Sequence, residues 1–420
     1  MTSTKFRATR ADLLLPGVRN VAICGPLGPW RTDDVRAALT RLAIVGPRTR
    51  VGVYPRSTSR DWTFDPDLPA GIVREVPEVA SLTEMSALIE TLRREPGERL
   101  PIRVTLSGRY VVIDTDHRVA DGQIYLQLVN AIDTIVRTGD LPAWAREAEL
   151  RRPMWRALQH TFGKHPAKVR EVVAARRSLR ELRGTGAVDD PDPGVPWQPA
   201  LAVHLSRQEP AVAHELSRHR KEHRPGVSSA VITVELAHRA FRKVGIPLRA
   251  ETTVAVDCRR YLPAGSTVNG NFIVGVATPT TIFRPTSDPT AMLRSVYDSG
   301  LPLAGLARGA AMSRRAPATD SAPTRVSAQP RVAFMFTDLG KAGPFEQLDW
   351  LDGAGDPVFG GLLDPSGPEG ITLMASTIRN RRTYSFSFHD NVFDRTLIER
   401  CAMELTTDPV GLLTDRSLDQ

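Results

Sequence analysis

The sequence has few cysteines and no pattern typical of a metal site. Cys24, Cys258 and Cys401 stand far apart, which argues against a disulfide framework and against a cysteine-based zinc site. We expect each thiol to be a small buried apolar side chain. His219 and His223 have helical spacing, but the cations around them would repel a metal ion. No metal site is therefore predicted.

Long apolar runs are also absent. No stretch reaches the ~18 apolar residues that a membrane helix needs, so no membrane span is predicted. The opening segment, MTSTKFRATRADLLLPGVRN, lacks an apolar core long enough for a signal peptide, and we expect a cytoplasmic protein. At 420 residues the chain exceeds the size of a single hydrophobic core, which predicts two domains or lobes. We also expect a monomer.

Aromatic residues are scarce at 6%, and the chain carries a net charge of +8. No zinc-finger or RNA-binding signature accompanies the charge, so a nucleic-acid partner is not expected. The excess is partly local, because basic residues crowd together between Arg146 and Arg183. This stretch would suit a phosphorylated cofactor or an acidic protein, although a solvated helix face is the simpler explanation.

Proline- and glycine-rich segments divide the chain. Residues 184–199, GTGAVDDPDPGVPWQP, are typical of a linker, which gives an N-terminal lobe at 1–183 and a C-terminal lobe at 200–420. A second aperiodic segment at 312–330 predicts an exposed, flexible loop. Helical and strand patterns mix without regular βαβ alternation, so we expect an α+β fold of layered sheets and helices in both lobes.

The stretch DTDHRVADGQ, residues 114–123, joins a predicted strand to a predicted helix. PIRVTLSGRYVVIDTDH before it has the pattern of a hairpin. QIYLQLVNAIDTIVRTG after it places its apolar residues on one helical stripe and ends at Gly139. Loops between rigid elements often carry catalytic side chains. We therefore treat this loop as a candidate active site, with a plain polar turn as the alternative.

His117 is the residue in this loop best suited to chemistry. A neutral imidazole takes a proton from a hydroxyl or an amine near pH 7. Neither a nucleophile elbow nor a nearby cysteine accompanies it, which favours direct attack by a deprotonated acceptor on an activated acyl group. Asp121 either orients the histidine or builds the loop. Gly122 permits a positive φ or a close backbone approach, and its N–H would face an oxyanion or merely begin the helix.

The segment His117-Arg-Val-Ala-Asp121-Gly122 is similar to the H-x-x-x-D-G motif of the chloramphenicol acetyltransferase-like acyltransferases, which include the condensation domains of peptide synthetases. The later segments VAVDCRRYLP, VNGNFIVGV and FMFTDLG resemble further family segments in the same order. The resemblance spans nearly the whole chain. It implies a two-lobed fold of two-layer sandwiches with an active-site tunnel between the lobes.

The resemblance also implies roles for individual residues. His117 would be the general base, with Gly122 beside it in the catalytic loop. Asp121 would be structural and paired with Arg259 of the other lobe. Three weaker candidates for the substrate tunnel are Asp116, Asn271 and Thr337, and for the last two a structural role is an equal alternative.

The sequence departs from the family pattern in three places. Asp116 stands where condensation domains usually carry a second histidine, and Thr337-Asp338-Leu339-Gly340 replaces a Ser-Asn-x-Gly element. The Asp-Phe-Gly-Trp-Gly signature of the plant-type enzymes is absent. These departures indicate a divergent stand-alone member.

By this resemblance the function would be acyl transfer from a thioester donor to the amine or hydroxyl of a small-molecule acceptor. The donor would be coenzyme A or a phosphopantetheinyl carrier protein, used as a co-substrate without a tightly bound cofactor. The product would be an amide or ester in secondary metabolism. Two alternatives stay open: a silent module that recruits a carrier protein, and the same fold adapted to cyclisation or dehydration.

Overall fold

A computed structural model describes residues 3–56, 59–183, 194–284, 287–313, 323–341 and 343–419. The strands in these ranges are β1 (Thr4–Arg7), β2 (Arg19–Gly25), β3 (Val53–Tyr54), β4 (Asp61–Phe64), β5 (Val73–Val76), β6 (Ile102–Ser107), β7 (Tyr110–Asp116), β8 (Val195–Pro196), β9 (Leu201–Gln208), β10 (Leu248–Asp257), β11 (Ile273–Pro279), β12 (Arg325–Val326), β13 (Val332–Lys341), β14 (Val358–Leu363), β15 (Gly370–Ile378) and β16 (Arg381–His389). The α-helices are α1 (Thr32–Val45), α2 (Leu82–Arg94), α3 (Gly122–Thr138), α4 (Ala143–Arg146), α5 (Pro153–Leu158), α6 (Lys168–Arg183), α7 (Pro210–His223), α8 (Ser229–Lys243), α9 (Pro289–Ser299), α10 (Leu301–Met312), α11 (Arg395–Thr407) and α12 (Pro409–Thr414).

The N-terminal lobe is built on a five-stranded sheet in the order β14-β2-β7-β6-β5. Its central strands are apolar on both faces, because side chains alternate along a strand and each face is covered. Ala22 and Cys24 of β2 pack with α1 and α3. Val21 and Ile23 pack on the opposite face with α2 and with β9 of the other lobe. A single strand thereby joins two hydrophobic clusters.

The C-terminal lobe contains a six-stranded sheet in the order β11-β10-β13-β15-β16-β9. Its core strands β10, β13 and β15 are parallel, and Val254 of β10 lies opposite Phe336 of β13. Helices α8, α11 and α12 cover the apolar face. Because parallel strands end at the same edge of a sheet, the segments that follow β10 and end β13 emerge together. The predicted α+β, two-lobed architecture is confirmed.

One strand crosses between the lobes. β14 belongs to the range predicted as the C-terminal lobe, yet it pairs antiparallel with β2 from Val358↔Gly25 to Leu363↔Asn20. A Cβ on Gly360 would lie 2.8 Å from Ser385 Oγ, and a Cβ on Gly361 would lie 2.5 Å from Val21 O. The two glycines therefore let β14 fit between the sheets. The lobe boundaries at 1–183 and 200–420 stay a prediction. They do not account for β14, which lies in the second range but pairs with a strand of the first.

The two segments predicted as linker and flexible loop are described only in part. Of the linker, residues 184–193 lie outside the described residues, while Val195–Pro196 pairs with Arg325–Val326. Of the loop at 312–330, residues 314–322 lie outside them. Within the described ranges no helix is long and apolar enough to cross a membrane.

The local predictions agree with most of the elements that frame the site. All three cysteines are buried and unpaired, as predicted. Gly139 follows α3 in the left-handed conformation at φ 75°, which confirms it as the helix terminator. α1 begins at Thr32, and Arg31 precedes it without a side-chain cap.

Candidate active site

The loop between β7 and α3 is held in place by its own backbone. The carbonyl of Asp116 accepts hydrogen bonds from Val119 N at 2.9 Å and from Ala120 N at 3.2 Å. His117 N donates to Val18 O of the segment before β2 at 2.9 Å. These bonds form a tight turn that begins as the strand ends, and they fix the backbone from which the imidazole projects.

Asp116 reinforces this turn through its side chain. One carboxylate oxygen accepts from the backbone N of Arg118 at 2.9 Å and from its Nε at 3.0 Å, and the other accepts from Nη2 at 2.7 Å. Both side chains are nearly buried, at 10% and 12% exposure. Asp116 thus has a structural partner, and its part in a substrate tunnel stays a prediction. Sequence reasoning missed Arg118 because it occupies an unspecified position of the motif.

The two imidazole nitrogens of His117 differ in how far they are enclosed. The residue is half-buried, and Nδ1 is enclosed without a hydrogen-bond partner among the described residues. Nε2 also makes no hydrogen bond there, but unlike Nδ1 it is not fully enclosed. Burial lowers the pKa of His117, and its own backbone carbonyl and the carboxylates of Asp121 and Asp116 oppose that shift. The ring is therefore neutral near pH 7, and its role as a general base stays a prediction.

The acyl transfer expected from the family resemblance should have a pH dependence that reflects this lowered pKa. A general base works in its neutral form, so kcat/KM should stay at a plateau above the pKa of His117 and fall as the pH drops through it. Because burial moves this pKa below its ordinary value of 6.5, the acid limb should lie below pH 6.5. Thiol release measured across a pH series would test this expectation. A limb centred well above pH 6.5 would contradict it.

Asp121 caps the helix that follows the loop and anchors it to the other lobe. One carboxylate oxygen accepts from Ile124 N at 3.2 Å, as expected of a residue at the N-cap of α3. The other accepts from Phe272 N at 3.2 Å and forms an ion pair with Arg259 Nη2 at 2.9 Å. Asp121 is fully buried and Arg259 is 15% exposed. The structure therefore contains the interlobe ion pair that the resemblance implied.

Arg259 is in turn held by the segment that leads into β11. It lies in the 3-10 turn Cys258–Tyr261 directly after β10. Its Nε donates to Val268 O at 3.1 Å, and its Nη2 donates to Gly270 O at 2.7 Å. Burial alone would lower the pKa of Arg259, but the carboxylates of Asp121 and Asp257 raise it overall. The guanidinium stays charged and links the two lobes.

The same segment contacts the N-terminal lobe through a buried polar cluster. Asn271 N donates to Asp12 Oδ1 at 3.0 Å, and Asp12 Oδ2 lies 3.4 Å from Arg50 Nη1. A Cβ on Gly270 would lie only 2.4 Å from Arg50 Nη2, so this position has no room for a larger residue. Asn271 is 1% exposed, and its place in a substrate tunnel stays a prediction. Sequence reasoning did not find Asp12 or Arg50, because no local pattern marks either one.

Gly122 is packed against the end of β13. It does not adopt a positive φ, so that reason for a glycine does not apply. A Cβ there would lie 3.3 Å from Leu339 Cδ2. Close packing against Leu339 therefore explains why a glycine suits this position. Among the described residues its N–H has no acceptor. Donation of this N–H to a developing oxyanion stays a prediction.

Gly122→Ala should be a mild substitution. The added methyl group needs a shift of a few tenths of an ångström in Leu339, whose tip is flexible, and the backbone N–H is kept. We expect stability to change by about 0.5 kcal/mol or less and kcat/KM to fall by less than roughly tenfold. Thermal melting and steady-state kinetics would measure both. A loss as deep as that of a His117 variant would mean that the bare Cα itself is required.

The end of β13 contains Leu339, the residue that Gly122 contacts. Thr337 is half-buried and lies opposite Met374 of β15, and its part in a tunnel stays a prediction. Asp338 forms an ion pair with Arg382 Nη2 at 2.9 Å. Leu339 follows with its side chain against the start of α3. Across the described ranges no group of three or more His, Cys, Asp or Glu is placed to hold a metal ion.

No protein-family model matches this sequence, and no curated protein matches it. Solved structures do match. TRI3 trichothecene 15-O-acetyltransferase from Fusarium sporotrichioides has a TM-score of 0.62 at 12% identity, over 98% of this chain and 95% of that one. The condensation domain of the monacolin K polyketide synthase MokA has 0.59 at 12%, over 97% and 98%. TRI101 of F. graminearum, solved with coenzyme A and deoxynivalenol, has 0.55 at 14%, over 93% and 96%.

Proposed function

We propose that this chain, which has the chloramphenicol acetyltransferase-like fold of those acetyltransferases and condensation domains, is itself an acyltransferase. It would transfer an acyl group from a thioester donor to the amine or hydroxyl of a small-molecule acceptor. The product would be an amide or an ester, made in secondary metabolism by a monomer in the cytoplasm.

The observation that carries this proposal is the state of His117. Its Nε2 makes no hydrogen bond and is not fully enclosed, and burial favours the neutral ring. Nε2 takes the proton of the acceptor as the acceptor attacks the thioester carbonyl carbon. The tetrahedral oxyanion then collapses, the carbon–sulfur bond breaks, and the imidazolium returns the proton to the leaving thiolate. The cycle needs no covalent acyl-enzyme and regenerates the neutral base.

Asp121 acts as a positioning residue in this proposal. Its two carboxylate oxygens are engaged by Ile124 N, Phe272 N and Arg259, so the group is committed to anchoring the loop. Asp121 therefore holds the start of α3 against the other lobe, and in this way it fixes the backbone of the loop that carries His117. A proton relay from His117 to Asp121 is not part of the mechanism.

The charge of one segment supports a donor that is anionic. Between Arg151 and Arg183 ten Lys and Arg stand against two Glu, a net charge of +8 that equals the net charge of the whole chain. The only ion pairs formed by these cations within the described residues are Arg177–Glu181 and Arg183–Glu251. Such a surface would steer either the phosphates of coenzyme A or an acidic carrier protein toward the molecule.

The test is detection of product by intact mass. The protein is incubated with a panel of acyl-coenzyme A donors or of acyl-carrier proteins, together with amine and alcohol acceptors. Transfer from either panel above the rate of a His117→Gln variant would support the proposal. If no product forms with either panel and the protein binds a carrier protein tightly, the result would instead favour a recruitment module.

A further inference from the structure

Exposed apolar side chains are concentrated in one part of the molecule. Among the described residues eight large apolar side chains are exposed, and four of them lie between residues 155 and 182: Trp155, Val169, Val173 and Leu182. The interval is only 28 of the 420 residues. Single exposed apolar residues are common, but a concentration of them is typical of a contact surface. This part of the chain is therefore a candidate interface.

Helix α6 has one face buried in the fold and another face open to water. Ala175 and Leu179 are buried, and the helix packs against α9, α10 and β11. Val169 and Val173 are 55% and 63% exposed, although apolar residues of a surface helix ordinarily face the core. The outward face of α6 therefore presents apolar side chains that the rest of the chain leaves largely uncovered.

The two valines are followed by two arginines along the same face of α6. Val169, Val173, Arg176 and Arg180 are spaced four, three and four positions apart, which places them in one line along a helix. All four side chains are exposed. At a rise of about 1.5 Å per residue, the line is about 16 Å long. These four residues are called the α6 stripe below.

The arginines of the α6 stripe are not neutralised by the protein. The guanidinium groups of Arg176 and Arg180 form no ion pair or hydrogen bond within the described ranges. Glu171 is two positions from each valine, so it lies on another side of the helix. Glu181 is already paired with Arg177 at 2.8 Å. The α6 stripe thus combines exposed apolar area with uncompensated positive charge.

Positive charge alone does not distinguish α6 from other helices. Arg218 and Lys221 of α7 are also exposed, yet α7 exposes no large apolar side chain. Next to α6 the apolar area is extended by Trp155 of α5, a helix that packs against α10 as α6 does. Tryptophan is enriched where proteins meet the membrane–water interface. The combination of charge and apolar area is what the partner of α6 has to match.

We propose that the α6 stripe binds the surface of a membrane that contains anionic lipids. The arginines contact the anionic headgroups, and the valines enter the apolar boundary beneath them. A nucleic acid or another soluble polyanion would neutralise the arginines but would leave the valines in water. Steering of an anionic donor likewise accounts for the charge and not for the valines. Because two valines bury little area, the binding is weak, peripheral and reversible.

Co-sedimentation with lipid vesicles tests this proposal. The wild-type protein should bind vesicles of phosphatidylcholine mixed with phosphatidylglycerol, and it should bind pure phosphatidylcholine far more weakly. Rising salt concentration should release it, because salt screens the attraction between arginines and headgroups. Arg176→Gln combined with Arg180→Gln should weaken binding to the mixed vesicles by about tenfold or more, since each basic residue near an anionic surface contributes roughly fivefold.

A second pair of substitutions tests the apolar contact separately. Val169→Ser combined with Val173→Ser keeps every charge and should weaken binding by about fivefold or more, because less apolar area enters the membrane. Arg218→Gln combined with Lys221→Gln removes the same charge from α7 and is the matched control, with binding close to that of the wild type. Every substituted side chain is exposed, and thermal melting checks that each variant folds.

The proposal is overturned if the wild type does not bind the mixed vesicles at low salt. Equal losses in the α6 and α7 charge variants would show a non-specific attraction, and unchanged binding of the valine variant would show that charge acts alone. Either result would contradict a membrane contact through the α6 stripe. If an acidic carrier protein binds, both α6 variants lose it and vesicles do not bind, the partner is a protein. None of these measurements depends on acyl transfer, so the result is independent of the proposed function.

Discussion

His117→Gln should lower kcat by about 10²–10⁴-fold while leaving the fold intact. Glutamine approximates the size of the imidazole but has no group that accepts a proton near pH 7. The side chain is half-buried and Nδ1 makes no hydrogen bond, so its replacement breaks no side-chain contact that holds the loop. The loop backbone keeps the bond from residue 117 N to Val18 O. Thiol release and intact-mass detection of product would measure the loss.

His204→Gln is the control for this experiment. His204 is also half-buried and lies on β9, where its nearest charged partner is Glu399 at 4.0 Å. It lies on the edge strand of the six-stranded sheet and not in the loop after β7, so its replacement should leave turnover close to normal. Near-normal turnover in His117→Gln, measured with a donor and acceptor that the wild type uses, would show that His117 is not the base.

Asp121→Ala should destabilise the protein by about 3–5 kcal/mol, because it leaves the charge of Arg259 buried without a partner. The same change removes the acceptor for Ile124 N and for Phe272 N. Activity should fall as well, since the start of α3 loses its connection to the other lobe. The midpoint of urea unfolding, together with its slope, would report the loss of stability.

Two further variants test whether the ion pair is the cause. Asp121→Ala combined with Arg259→Met should recover part of the stability, because the second change removes the uncompensated charge. Glu181→Ala breaks an ion pair with Arg177 in which Glu181 is 64% and Arg177 80% exposed. Because the pair is exposed, its loss should lower the free energy of unfolding by about 1 kcal/mol or less. Equal losses in Asp121→Ala and Glu181→Ala would contradict a structural role for the buried pair.

Local patterns in the sequence were sufficient for the elements that carry the site. Helical periodicity and a terminal glycine predicted α3, and alternation around a Ser-Gly turn predicted the β6–β7 hairpin. The loop between them was therefore located from the sequence alone. The partnership of Asp121 with Arg259 came from the family resemblance, since 138 positions separate the two residues and no spacing rule connects them.

The remaining contacts depend on tertiary structure that local patterns do not encode. The cluster of Asp12 and Arg50 forms only where the first strands meet the segment before β11. The pairing of Asp116 with Arg118 depends on the curvature of one turn, although the residues are two apart. Gln208 is the last residue of β9, and its Nε2 donates to Leu405 O of α11, which lies 197 positions away.

The exchange of β14 makes the two lobes dependent on each other for solubility. Without the C-terminal half, β2 would present an open row of backbone N–H and C=O groups, and such an edge recruits strands from other molecules. The C-terminal half alone would expose β14 and its Gly360–Gly361 pair with no strand beside them. Cutting the chain within residues 184–199 would therefore yield two aggregation-prone fragments instead of two separately folding units.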